Sequence, residues 1–433
     1  MSQASATNLA RLWGVVRDNK AYRRLFAANL VSQLGDWFST VALFSLMLEL
    51  TGRGESVALV LVCHLMPMFF AGPIAGVVAD RFDRRFILVA ADLSRALVVL
   101  GFLLIRKPEH AVIAYALVAT RSVFTAFFEP AQQATFPNLV DAKDLVVASA
   151  LENSVWATTL ALGSALGGIL MLYAGRPAIF VINAGTYLCS ALLLRGLPDR
   201  VARAKVEEKT VRPPGWRSAL GITDFLEGLR YLGENARVRA LVLAKGGFGL
   251  TLGGVLVLLA FFGEKVFVEA GQMGIPMLWT ARGIGSFVGP FIAWRLGGDS
   301  PPALRRGVTI AFGLVCLSYL LFARAPTLLL AAPVLMIANS GGSILWTYAS
   351  SIQALIVPDA LRGRVAAADM GWMTLTMASS DLLTGHLVDA GVPPRWLMAG
   401  CGLVAIVPIT YWIMAQRHFR DPLLTTAQAQ AQA

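Results

Sequence analysis

Apolar residues run in long blocks along most of the chain, and charged positions are concentrated in the short breaks between them. Twelve blocks approach or exceed the ~20 mostly apolar residues that a bilayer-spanning helix needs. They lie at roughly 25–50, 56–80, 86–105, 111–132, 146–173, 177–197, 240–262, 273–296, 307–323, 327–350, 365–388 and 396–415. Each must be a helix, because hydrocarbon offers no partner to the backbone polar groups of an open strand. Most breaks are brief. The exception is 198–239, a charged stretch followed by GITDFLEGLRYLGENARVRAL, where Ile222, Phe225, Leu226, Leu229 and Leu232 recur at helical spacing. That pattern predicts a helix lying along the membrane surface.

Composition sharpens this picture. The 433 residues are 56% hydrophobic and 15% charged, against about 25% charged in a soluble protein. A water-soluble fold is excluded, and a multi-pass protein embedded in the lipid bilayer is expected. The start, MSQASATNLARLWGVV, shows no removable signal peptide. The formal charge of +11 would suggest nucleic acid, but its placement does not. With the N-terminus inside, 26 of the 37 lysines and arginines fall in inward-facing segments and 7 in outward-facing ones. The charge is therefore a topology signal: both termini and the linker are expected in the cytoplasm, the protein in the cytoplasmic (inner) membrane, with no nucleic-acid partner. Cys63, Cys189, Cys316 and Cys401 are scattered through apolar stretches and read as buried small hydrophobes. No phosphate-binding loop, hydrolase motif or metal-spaced cluster occurs, so neither an enzyme nor a cofactor or metal site is expected.

The chain also repeats itself weakly. Gly72-Pro73-Ile74 is echoed by Gly289-Pro290-Phe291, Arg84-Arg85 by Arg305-Arg306, and Asp141-Ala142 and Val147-Ala148 by Asp359-Ala360 and Val365-Ala366. Six spans lie on each side of the linker. The expected fold class is an all-α integral membrane protein of twelve helices in two pseudo-symmetric six-helix bundles, the arrangement of transporters with a central site between repeats. The expected boundaries are a cytoplasmic tail (1–24), an N-terminal bundle (25–197), a linker with an amphipathic helix (198–239), a C-terminal bundle (240–415) and a second tail (416–433). A single copy is expected to suffice for function.

Polar residues inside spans are expensive and point to a hydrated passage. Asn29, Gln33, Asp36 and Thr40 follow at steps of 4, 3 and 4 and share one face of span 1. Asp36 lies near mid-membrane, where carrying a charge is costly; it is either a proton-exchanging group or permanently paired with an arginine. Arg121 in span 4, at similar depth, either relays a proton with it or neutralises it. Asp92 and Arg95, three apart, can neutralise each other or join a relay with Arg84 and Glu129. Asp369 and Asp381 in span 11 have no adjacent base, and Arg282 in span 8 is at a depth similar to Asp381 and a plausible partner. Lys245 is close enough to the inner surface to snorkel. His64 reads as a packing residue. Trp37, Phe127, Phe128, Trp156, Tyr187, Trp346 and Trp372 pack in the spans, and a few of them line the cavity.

The break after span 2 reads Gly76-x-x-x-Asp80-Arg81-x-Asp83-Arg84-Arg85. Gly76 permits a close helix approach, Asp80 suits a neighbouring helix N-terminus, and the arginines can reach carboxylates at the inner mouth, with Glu129 the nearest. The pattern resembles the loop 2–3 signature of the major facilitator superfamily, with Asp83 where that family usually has glycine. Twelve spans, two halves and a long middle linker fit the family across nearly the whole chain. The resemblance implies that the neighbour of Asp80 is span 11. The loop charges either hold the halves together only while the protein faces outward or are merely positive-inside anchors. Leu117-x-x-x-Arg121 resembles the start of the family's span 4 motif in proton antiporters, without the Gln and Gly that normally follow. Gly163-Ser164-Ala165-Leu166-Gly167-Gly168 is similar to its exporter motif in span 5, with Ser164 replacing proline; it either seals the cavity by packing on span 8 or serves plain packing.

The phrases SQLGDW, AADLSRALV, FEPAQQATFPNLV and LRGRVAA are similar to the branch of macrolide-efflux and enterobactin-export proteins. That resemblance implies a secondary active exporter, coupled to protons, of amphipathic drugs or siderophore-like small molecules by alternating access, and so a part in multidrug resistance. A lipid or lysophospholipid transporter of the same fold and a non-transporting membrane sensor are the alternatives.

Overall fold

The computed structural model describes residues 14–141, 144–198, 222–296, 300–358 and 361–419. The outermost parts of both expected tails and the charged half of the linker lie outside these residues, as do Ala142, Asp359 and Ala360 of the repeated pairs. The described residues contain helices and no strand. Twelve spans run in alternating directions: α1 (Lys20–Thr51), α2 (Gly54–Arg81), α3 (Arg84–Leu100), α4 (Ala111–Thr135), α5 and α6 (together Leu145–Arg195), α7 (Ala236–Phe261), α8 (Gly274–Leu296), α9 (Pro301–Arg324), α10 (Leu328–Ile356), α11 (Arg362–Asp389) and α12 (Pro394–Val404 continued by Ile406–Ala415). The linker helix is Ile222–Glu234.

Local chemistry sets the breaks. The Asn19 side chain caps α1 by accepting from Tyr22 N at 2.9 Å, and Gly52 ends it with φ 67°, a left-handed turn that glycine adopts without strain. Gly175, with φ 76° and ψ 167°, separates α5 from α6 within one helical run, and Pro177 follows it. Pro408 has no N–H to offer one turn back, which accounts for the interruption of α12 at Ala405.

Eight helical stretches are long and apolar enough to cross a bilayer, one of them holding both α5 and α6. The three that fall short, α1, α8 and α11, carry Asp36, Arg282 and the pair Asp369 and Asp381. Their polarity belongs to the protein's interior, not to lipid. The first six spans pack around α1 against α5 and α6, and the last six around α7 against α11. The halves meet along α2–α11 and α5–α8.

The end of the molecule that carries the break between α2 and α3 is called here the loop end. At the opposite, far end the halves are latched. Asp389 of α11 accepts from the backbone N–H of Gly54 at 2.6 Å and of Glu55 at 3.1 Å, which caps α2, and from Arg53 Nε at 3.4 Å. Ser45 of α1 donates to Glu264 at 3.3 Å. At mid-span, Gly283 of α8 lies so close to the Ala161 backbone that a side chain there would collide with it. Toward the loop end the linker helix takes over. Its Phe225 ring packs on Phe69 of α2 at 6.3 Å, and its Glu227 pairs with Arg364 at 2.5 Å beneath the start of α11.

Candidate functional site

A cavity of about 310 Å³ lies between the halves. Asn29, Gln33, Asp36 and Thr40 all line it, because the 4-3-4 spacing keeps them on one face and that face of α1 turns away from lipid. Arg95, Arg121, Glu129 and Gln132 line it from α3 and α4 and His64 from α2, while the second half adds Leu256, Trp279, Arg282 and Met377.

Asp36 is the hub. Its Oδ1 accepts from Arg121 Nη1 at 3.2 Å and from the Tyr187 hydroxyl. The Asp36 side chain is 26% exposed and that of Arg121 8%, so the pair borders the cavity without being sealed. Behind it Arg95 bonds Asp92, whose other oxygen accepts from Ser190 Oγ at 2.6 Å. The Arg95 guanidinium lies over Phe128 at 4.2 Å and over Tyr187 at 4.6 Å. Tyr187 therefore touches both ion pairs, one through its hydroxyl and one through its ring face. His64 Nδ1 is 2.9 Å from Ser122 Oγ.

A second polar cluster lies closer to the loop end. Gln33 donates to Asn29 at 2.8 Å, Asn29 to Glu152 at 3.1 Å, and Gln132 to the same Glu152 oxygen at 3.2 Å. Thr159 donates to Gln33 at 3.2 Å. Glu152 escaped the sequence reading, although an acid within a span is itself a signal of a site. Tyr187 was legible only as one aromatic among many, and Trp279 had no signal of its own.

Arg282 and Asp381 are not partners. Arg282 turns to the cavity between the indoles of Trp156 at 5.4 Å and Trp279 at 5.0 Å. Asp381 is fully buried near Cys401, away from the cavity lining, and neither of its carboxylate oxygens has a hydrogen-bond partner. The reason is packing: α8 lies against α5 and α10, whereas α11 lies against α7 and α2. Similar depth did not imply adjacency. Lys245 does not snorkel and Asp369 is not without a base, because the two bond each other across α7 and α11, with Lys245 Nζ 4.1 Å from the Trp346 ring. They are 124 residues apart, so no local spacing announced the pair.

The contacts expected of the loop 2–3 residues belong to the outward-facing state, and in this conformation the residues are arranged otherwise. A side chain added at Gly76 would meet open space, so no close approach occurs there in this conformation. Asp80 is exposed along with Arg81, and the start of α11 is covered by the linker helix instead. Arg84 donates not to Glu129 but to the carbonyls of Ala79 at 3.1 Å and Ala134 at 2.9 Å, and Arg85 donates to Leu197 O at 3.1 Å. These arginines cover carbonyls at or near helix C-termini of their own half. Asp83 caps α3, accepting from Arg85 N at 2.8 Å and Phe86 N at 3.2 Å, a function glycine has no side chain to perform. In the α5 motif Gly168 faces Pro276 of α8, but Gly163 and Gly167 face Trp37 and Phe38 of α1. The motif serves two seams, one between the halves and one within the first.

Among the described residues no group of His, Cys, Asp and Glu is placed to hold a metal ion. A family model described as transmembrane secretion effector, within the major facilitator superfamily (MFS), matches residues 13–426. The chain is 29% identical over 217 residues to the uncharacterised MFS-type transporter YfiS of Bacillus subtilis (strain 168), and spans about half the length of that relative, with half of its own length matched. It is 26% identical over 339 residues to BacE, a candidate bacilysin exporter of the same organism, covering 76% of this chain and 81% of BacE. The crystal structure of the nucleoside transporter NupG (D323A mutant) superposes with a TM-score of 0.71 at 15% identity, over 92% of this chain and 99% of that one. This last likeness concerns the fold alone.

Proposed function

The chain belongs to the transmembrane secretion effector family of the major facilitator superfamily, and from that premise we propose that it is a proton-coupled antiporter. It exports amphipathic small molecules, drug-like or siderophore-like, through the cytoplasmic membrane, and works as a monomer. The observation that carries the reading is the Asp36 carboxylate, held by Arg121 and Tyr187 on the wall of a central cavity. The likeness to a candidate exporter supports the direction. Placement of lysines and arginines supports a cytoplasmic loop end with both termini inside. The state described is then inward-facing, latched at the far end by Asp389 and Gly54.

The cycle follows from this geometry. With the cavity open to the cytoplasm, charged Asp36 stays with Arg121 and Tyr187 while substrate loads. After the halves rock, a proton arriving from outside neutralises Asp36. Its attraction to Arg121 falls, and substrate leaves. The halves rock back with the acid neutral, and the proton leaves to the cytoplasm as Arg121 and Tyr187 recapture the carboxylate.

Proteoliposomes under an imposed pH gradient test this, with a panel of amphipathic fluorescent dyes of either charge and a fluorescent phospholipid as comparison. Wild type is expected to accumulate at least one dye against its gradient. Asp36→Asn is expected to lose that accumulation while still exchanging dye down its gradient. Accumulation by Asp36→Asn equal to wild type would refute the proton role, and movement of the phospholipid alone would make this a lipid transporter.

A further inference from the structure

Each arginine on the first-half wall of the cavity has its own acid: Arg121 has Asp36 and Arg95 has Asp92. Arg282, on the second-half wall, has none. It is 6% exposed, and its Nε has no hydrogen-bond partner. Among the described residues no carboxylate pairs with it. Asp381 is sealed elsewhere, and Glu129, also on the cavity, makes no ion pair with Arg282. One turn back on α8, the indole N–H of Trp279 is a second buried donor without a partner.

A cation taken out of water without a counter-charge is strongly unfavourable. Two indole faces offset only part of that. An uncompensated guanidinium beside an unused N–H, on a second-half wall otherwise formed by Leu256 and Met377, is an arrangement that an incoming anion completes. The aromatic surround fixes what the anion is attached to. Trp279 packs on Phe44 at 5.3 Å and on Trp37 at 5.7 Å, and Trp37 on Trp156 at 6.2 Å. The cavity, at about 310 Å³, has the size of small-ligand sites.

We propose that Arg282 is the anion-binding end of the substrate site, so that the exported molecule carries a carboxylate or similar anionic group on an aromatic or apolar body. The inference rests on the reading of this cavity as the substrate path. It adds a specificity which that reading does not contain: acids are preferred over neutral and basic molecules of the same shape. It also divides the labour of the cavity. The first half handles the proton at Asp36, and the second half handles the negative charge of the cargo at Arg282.

The test uses the full-length protein in lipid nanodiscs, with no gradient, and three probes that share one ring system: 2-naphthoate, 2-naphthalenemethanol and 2-naphthylmethylammonium. Affinity is read by titration calorimetry and by the shift in unfolding temperature. Wild type is expected to bind naphthoate at least tenfold more tightly than the other two. Arg282→Gln is expected to weaken naphthoate roughly ten- to hundredfold, the loss of a charge-assisted contact, with naphthalenemethanol reporting that the pocket still forms. Arg282→Lys keeps the charge and is expected to keep a reduced preference for the acid, which covers the case in which Arg282→Gln does not fold. Absent or charge-blind binding by wild type overturns the proposal. So does a preference that survives Arg282→Gln, or one that disappears in Arg121→Gln with Arg282 intact. Because no gradient is applied, these outcomes are independent of the coupling experiment: a charge-blind protein that still accumulates dye loses only the anion site, and an acid-selective one that accumulates nothing loses only the coupling.

Discussion

The two halves each contain a buried acid–base pair between helices, and the pairs differ in what surrounds them. Asp36 and Arg121 border the cavity, with side chains 26% and 8% exposed. Lys245 and Asp369 are 3% and 4% exposed, closed in between α7 and α11 beside the Trp346 ring. A pair next to a hydrated passage can give up or regain a proton, because water and the rest of the network absorb the change. A sealed pair cannot lose one charge without stranding the other. Equivalent seams show the same divergence. In the first half the glycines are on α5, where Gly163 and Gly167 receive Trp37 and Phe38 of α1; in the second they are on α7, where Gly246 and Gly253 receive Trp372 and the Met377 backbone of α11. The lesson is that similar helix contacts can carry charges of different use: on the proposed reading the Asp36–Arg121 pair handles the proton, and the Lys245–Asp369 pair is scaffold.

That contrast is sharpest when one acid of each pair is neutralised. Asp369→Asn leaves Lys245 buried without a counter-charge and is expected to cost about 3–5 kcal/mol, seen as a large fall in unfolding temperature in detergent. Asp369→Leu combined with Lys245→Met removes both charges and is expected to restore most of it, with transport retained. Asp36→Asn leaves Arg121 without its acid on the cavity wall, where the substituted side chain is itself partly exposed and Tyr187 remains beside it. It is expected to unfold within a few degrees of wild type while gradient-driven transport falls at least tenfold. Should Asp36→Asn prove the less stable of the two, or the Lys245–Asp369 double variant lose transport in a folded protein, the division between the two pairs is wrong.

A smaller effect separates the conformations. Gly76 meets nothing in the described state, so Gly76→Leu is expected to leave stability and dye binding unchanged here. If the loop end closes in the other state, turnover should fall several-fold, because a large side chain would then obstruct the approach of α11. Equal turnover in wild type and Gly76→Leu would mean that α2 and α11 never come together at that level.

How much of this was legible follows from the range over which each signal acts. Span positions and the face carrying Asn29, Gln33, Asp36 and Thr40 depend on hydropathy and the 3.6-residue period, both local, and the helices appear where the pattern places them. The Asp92–Arg95 pair was visible for the same reason, being one helical turn apart. Of partners on different helices, Arg121 with Asp36 was visible from similar depth, and most others were not. Asp36 with Tyr187, Asn29 with Glu152 and Lys245 with Asp369 are joined across 151, 123 and 124 residues, and only the azimuth at which helices pack decides them. The supposed Arg282–Asp381 pair failed on that point, since depth is readable from sequence and azimuth is not. In this state Arg84 and Arg85 hold backbone carbonyls, a kind of partner that no residue type advertises.

The smallest predicted effect is at Asp381, and it is the most informative about the second half. This carboxyl has no exposure, and neither oxygen has a hydrogen-bond partner. A charge in such surroundings is costly, and no cation among the described residues offsets one there. Asparagine has nearly the same shape and no charge in any state. Asp381→Asn is therefore expected to change stability by no more than about 1 kcal/mol and to leave gradient-driven transport within twofold of wild type. A large loss of transport in a variant of normal unfolding temperature would mean that Asp381 becomes charged in the opposite facing state. The second half would then carry a proton of its own, and the number of protons exchanged per substrate would rise from one to two.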